Sequence, residues 1–255
     1  MKLCDLKPVL VLVCGLSAAT LAVAADPMPV GPGGDWRLVF ADEFSGPQLD
    51  LTKWRPNWLG PDDKKITKPI NVEEVSCYDP AQVRVDGGEL KLLAEKRACD
   101  KWDYASGIVE SNTRFNFSYG YAEARMWLPK GNGLWPAFWL NGPRNPADGE
   151  IDVIEASGQD DVRYHYHFQC GEKRCSPGKA MNLPGATSGW HTYAVEWQPG
   201  KIDWYYDGRK VNTQSSDVSG APHYVILNLG LRKNPDGFAV PSTRRVDCVR
   251  VWQRP

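Results

Sequence analysis

A two-residue period of apolar side chains, recurring from one end of the chain to the other, limits what it can fold into more than any other feature. YGYAEARMWLP puts Ala122, Ala124, Met126 and Leu128 on one face and Tyr121, Glu123, Arg125 and Trp127 on the other. A half-buried strand reads this way because successive side chains point to opposite sides of the sheet. The same alternation runs through HTYAVEW, YVILNLGL and RRVDCVRVW, with Gly and Pro clusters between the runs. VRVDGGELKLLAEK turns at Asp86-Gly87-Gly88, and KIDWYYDGRKV carries Asp207-Gly208 between two runs, a hairpin signal because tight β-turns need residues that tolerate positive φ. No helical period, internal repeat or low-complexity tract interrupts the pattern. It predicts an all-β fold, a single sandwich or jelly roll of two antiparallel sheets.

The N-terminus reads as a targeting segment. Lys2 and Lys7 precede the apolar run PVLVLVCGLSAATLAVAA, which ends in the small-residue pattern Ala22-Val23-Ala24. That order predicts a signal peptide over 1–25 and one mature domain over 26–255, secreted to the extracellular space or periplasm. No later stretch approaches the ~18 apolar residues of a spanning helix. In an oxidising compartment Cys170 and Cys175 could close a small ring and Cys77 and Cys99 could bridge neighbouring strands, with Cys248 as a buried thiol; the sequence leaves the connectivity open. No zinc spacing is found among the four histidines. A net charge of −1 gives no electrostatic reason for a nucleic acid or membrane partner. The 11 Trp and 10 Tyr offer flat apolar faces with polar edges, which suit sugar rings.

Residues 149–156, GEIDVIEA, carry three carboxylates on a β-branched strand. Glu150 and Asp152 share a face; Glu155 would point the other way unless an extra residue at Val153 or Ile154 forms a β-bulge and resets the alternation. The two Glu Cα atoms would then lie ~13 Å apart along the strand. Side chains leaning together would approach the ~5–5.5 Å carboxylate separation of a retaining glycosidase. Like charges this close repel, so an edge strand with solvated acids is the competing reading. Against it, LPKGNGLWPAFWLNG places Trp135 and Trp139 just upstream as ring-sized platforms.

In this order, WRLVFADEFSGPQLDLTKW, SGIVESNTRFNFSYGYAEARMWLPKGNGLWPAFWL, the ExDxxE acids, WHTYAVEWQPGKIDWYYDGRKV and VDCVRVW resemble glycoside hydrolase family 16 over nearly the whole mature chain. The resemblance implies a curved jelly roll with substrate along the concave face. It also implies Glu150 as nucleophile, Glu155 as general acid/base with its pKa raised by the neighbouring acids, and Asp152 as the group orienting the nucleophile. His167 would face the acids from the next strand, Asn71 would bind a sugar beyond the cleavage point, Asn228 would line the cleft floor, and Arg125 would either pair with Glu123 or reach substrate. The chemistry would need no cofactor, but one structural calcium ion would sit at Glu43, Asp247 and the Gly88 carbonyl. The implied partner is a polysaccharide acted on by a monomer. β-1,3-Glucan comes first, mixed-linkage β-1,3-1,4-glucan second and another polysaccharide third; no basic run near the acids favours a sulfated galactan. Rival readings are a transglycosylase and a non-catalytic glucan-binding module.

Overall fold

The computed structural model describes residues 27–215 and 218–255, and the expected signal segment lies outside them. Its strands are β1 (Arg37–Asp42), β2 (Ser76–Tyr78), β3 (Val83–Asp86), β4 (Glu89–Glu95), β5 (Tyr104–Ser106), β6 (Ile108–Glu110), β7 (Gly120–Trp127) and β8 (Leu134–Asn141). They continue with β9 (Glu150–Ala156), β10 (Asp161–Cys170), β11 (Lys173–Cys175), β12 (Gly178–Asn182), β13 (His191–Gln198), β14 (Lys201–Tyr206), β15 (Arg209–Ser215), β16 (Tyr224–Leu231) and β17 (Ser242–Gln253). They form the two-sheet sandwich that the alternation predicts. A ten-stranded sheet runs β15-β14-β13-β7-β17-β4-β5-β2, with β1 on β17 and β3 on β4; a seven-stranded sheet runs β11-β10-β9-β8-β16-β6, with β12 beside β10. One pair departs from the antiparallel expectation, since β2 and β5 run parallel.

The core lies between the sheets. Ala122, Ala124 and Met126 of β7 and Val246, Val249 and Val251 of β17 face Phe138 and Leu140 of β8, Ile151, Val153 and Ile154 of β9, and Val225, Leu227 and Leu229 of β16. On the far side of the seven-stranded sheet, Tyr78, Ile108, Trp139, Tyr224 and Ile226 form a second cluster with Trp58 and Ile70 packed on it. β16 is therefore buried on both faces, and it reads as a nearly continuous apolar run for that reason. The outer face of β7 is partly covered too: Tyr121 donates to the Val30 carbonyl at 2.6 Å, and the Val30 amide donates to Glu123 at 3.0 Å.

Arg244 is fully buried between the sheets. Its guanidinium donates to the carbonyls of Asn228, at 2.8 Å, and Ala137, and touches the Met126 sulfur. Burial without a carboxylate partner pushes its pKa down to about 9. These bonds tie β17 of one sheet to β8 and β16 of the other. Disulfides join Cys77 to Cys99 and Cys170 to Cys175, and Cys248 is buried and unpaired. Among the described residues no helix is long and apolar enough to cross a membrane.

Candidate active site

The bulge falls in β9. Against β8, Glu150 pairs with Asn141, Ile151 with Leu140 and Asp152 with Trp139, but Phe138 pairs with Ile154, so Val153 has no partner. β10 shows the same jump between Arg163 and His165. Ile151, Val153 and Ile154 all point into the core, and Glu150, Asp152 and Glu155 are left facing outward together. An indole from the opposite sheet braces the kink, because Trp204 Nε1 donates to the Asp152 carbonyl at 2.8 Å.

Two histidines on β10 bridge the three acids. His167 Nε2 lies 3.0 Å from Asp152 Oδ2 and 3.8 Å from Glu150 Oε1. His165 Nδ1 lies 2.8 Å from Glu155 Oε2 and 3.8 Å from Asp152 Oδ2. Their rings stack with centroids 5.3 Å apart. Glu155 also accepts from Trp135 Nε1 at 3.0 Å, while Glu150 accepts from Asn145 and, at 3.1 Å, from Arg174. Ser176 holds the far side of His167, its Oγ 2.6 Å from Nδ1. Donor atoms of Asp152, His165 and His167 fall within 4.8 Å of one another, a spacing a metal ion also uses. His165 Nδ1 is at the same time bonded to Glu155.

The electrostatics correct one expectation. Burial, then the charges of Glu155 and Glu150, raise Asp152 well above the ordinary carboxylate range. Burial also pushes Glu155 upward, but the hydrogen bond and charge of His165 and the Trp135 indole outweigh it, and its pKa is lowered rather than raised. His165 is raised, mainly by its bond to Glu155, whereas burial lowers His167. The contact between Glu155 and His165 thus favours the carboxylate on one side and the imidazolium on the other.

A cleft of about 750 Å3 opens over the acids, lined by Trp58, Trp135, Trp139, Tyr224, Asn71 and Asn145 among others. Trp139 is only 6% exposed and forms the floor, its ring 5.2 Å from that of Trp58. Its indole donates to Asn228 Oδ1 at 3.0 Å, and Asn228 Nδ2 donates to Tyr78 Oη at 3.0 Å. Tyr78 in turn bonds Glu74, which burial raises to about 7. Asn228 is thus not a sugar ligand: it is buried, its amide is engaged at both ends, and its part is to hold Trp139 in place. Asn71 reaches the cleft, with Nδ2 turned to Glu74 at 3.2 Å.

Arg125 is absent from the cleft. It lies on the outer face of the ten-stranded sheet, 3.0 Å from Asp247 and 5.0 Å over the Trp190 ring, because even-numbered β7 residues take the core side and odd-numbered ones the other. The expected calcium ligands fit poorly as well. Both Glu43 oxygens accept from Arg250 at 2.7 Å and Asp247 is held by Arg125, so these carboxylates already have cationic partners. His165, Asn145, Arg174 and Trp58 were not anticipated. The two-residue spacing of His165 and His167 was the available signal for the first; the others arrive through loops and a short hairpin.

Comparison with known proteins matches the chain to Glycosyl hydrolases family 16 over residues 72–228. The chain is 36% identical over 242 residues to the endo-1,3-1,4-beta-glycanase ExsH of Rhizobium meliloti, a span of 84% of this chain and 51% of that protein. It is 30% identical over 257 residues to glucan endo-1,3-beta-glucosidase A1 of Niallia circulans, covering 85% of this chain and 38% of that one. It therefore spans about half or less of those two relatives. The solved structure of the laminarinase from Rhodothermus marinus superposes with a TM-score of 0.74 at 25% identity, over 86% of this chain and 98% of that one. The matched segment contains the bulged strand, His165, His167 and Trp139, and the chain belongs to family 16 of the glycoside hydrolases.

Proposed function

We propose that the chain is a secreted, retaining endo-β-glucanase that cleaves β-1,3-glucan through a covalent glycosyl-enzyme. The observation that carries this reading is the bulged strand, which turns Glu150 and Glu155 to the same cleft with Asp152 between them. Glu150 attacks the anomeric carbon as the glycosidic oxygen takes a proton from Glu155. Water, deprotonated by Glu155, then releases the sugar with its configuration retained. Glu155 needs that first proton, and His165 is placed to hand it over at 2.8 Å. Asp152, held towards its neutral form, spares the nucleophile a second negative neighbour and lies 3.0 Å from His167 Nε2. Trp139 and Trp58 offer the floor on which sugar rings lie.

Mixed-linkage β-1,3-1,4-glucan is the second substrate, favoured by the name of the ExsH relative. The test is reducing-sugar release from laminarin, barley β-glucan, agarose and κ-carrageenan, with Glu155→Gln beside the wild type. Release from laminarin that vanishes in the variant supports the reading. Release from barley glucan alone moves the assignment to the mixed linkage, and silence on all four polymers overturns it.

A further inference from the structure

Four cationic side chains line the cleft: Arg163, Arg174, Arg232 and Lys233. They come from three separate segments, so no basic run announces them in the sequence. Two have partial partners, since Arg174 lies 3.1 Å from Glu150, and Arg232 lies 3.8 Å from Glu73 with its guanidinium 5.0 Å over the Trp135 ring. Arg163 and Lys233 are exposed and, among the described residues, have no carboxylate within 4.0 Å. Glu155 stands opposite Arg163 in the strand register, but its oxygens are engaged by His165 and Trp135. Asp161, also on the cleft, lies against Asn182 at 3.3 Å.

We infer that the glycan taken by this cleft carries anionic substituents, sulfate esters or carboxylates, that Arg163 and Lys233 recognise, with Arg232 held beside them by its stack on Trp135. This rests on the reading of the cleft as a β-glycan hydrolase site. A neutral glucan offers hydroxyls but no charge to these cations. A planar guanidinium matches the oxygens of a sulfate or carboxylate in pairs, and a lysine adds a point charge. Arg163 enters the cleft from β10, level with Glu155, and Lys233 from the segment that follows β16.

The test uses the full chain carrying Glu150→Ser, a change expected to stop turnover and leave binding. Its affinity for laminarin, lightly sulfated laminarin and lightly carboxymethylated laminarin is measured by calorimetry in 50 and 300 mM NaCl. The expected result is about tenfold tighter binding of at least one charged polymer in the lower salt, shrinking in the higher. That excess is lost on adding Arg163→Gln and Lys233→Gln and kept on adding Lys64→Gln and Lys65→Gln outside the cleft. The sulfated and carboxymethylated arms tell the two anions apart. Equal affinity for neutral and charged polymers, or an excess that survives the Arg163 and Lys233 changes, overturns the inference. If wild type cleaves laminarin without the charge preference, the glucanase reading stands alone; if charged polymers bind through Arg163 and Lys233 while laminarin resists cleavage, the inference stands and the glucan assignment falls.

Discussion

On the outer face of the ten-stranded sheet, Glu89 meets Arg245 at 2.6 and 2.7 Å, Glu43 meets Arg250 at 2.7 Å, and Asp247 meets Arg125 at 3.0 Å. On the outer face of the seven-stranded sheet, Glu155 meets a histidine and an indole, Asp152 meets a histidine, and Glu150 meets an asparagine and one exposed arginine. Arginine keeps its proton at any ordinary pH, whereas imidazole exchanges one near neutrality. One face holds charge in fixed pairs, and Arg245 also stacks 4.8 Å over Trp190 there. The other lets protons move among groups with shifted affinities. Carboxylates alone do not mark the catalytic face; their partners do.

Exchanging these partners should break the contrast by very different amounts. Glu150→Ser removes the nucleophile, and reducing-sugar assays should show a loss of about 10^4-fold or more in kcat with polysaccharide binding retained. Glu155→Gln should lower kcat by ~10^2 to 10^4-fold on natural glucan and far less on an aryl glycoside, whose leaving group needs no proton. His165→Gln tests the shared proton. In the wild type the acid form is lost as pH rises through the raised His165 value; without the imidazole, Glu155 carries the proton alone, so the alkaline limb of kcat/KM should move to lower pH and kcat should fall by ~10-fold. An unmoved limb would remove His165 from the proton path. Trp204→Phe takes away the brace on the bulge and should cost about 1–2 kcal/mol in calorimetric unfolding. Glu89→Gln, on the fixed-charge face, should change stability by no more than about 1 kcal/mol and leave kcat alone.

Much of this was readable from local pattern. Alternation placed Ala122, Ala124 and Met126 inside and gave the sandwich, and the out-of-register Glu155 required the bulge that the pairing of Phe138 with Ile154 displays. What escaped notice depends on contacts between distant segments. The facing of Arg125 was written in β7, but its partner Asp247 lies more than a hundred residues on. Asn228 looked like a cleft residue because it faces that side, and only the placement of Tyr78 shows its amide to be taken. The lowered pKa of Glu155 could not be foreseen from three neighbouring acids, since the imidazole that reverses the shift comes from the next strand.

The unpaired Val153 also has a genetic side. Removing its single codon would leave Glu150, Ile151, Asp152, Ile154 and Glu155 in simple alternation, with all three acids still outward and both isoleucines inward. Neither reading frame nor hydrophobic pattern is disturbed by such a deletion. A short-motif and a long-motif active site are thus neighbours in mutational space, joined by an intermediate that keeps its core. What the deletion would change is the reach between the two glutamates, and so natural selection can act on cleft geometry here without first risking the fold.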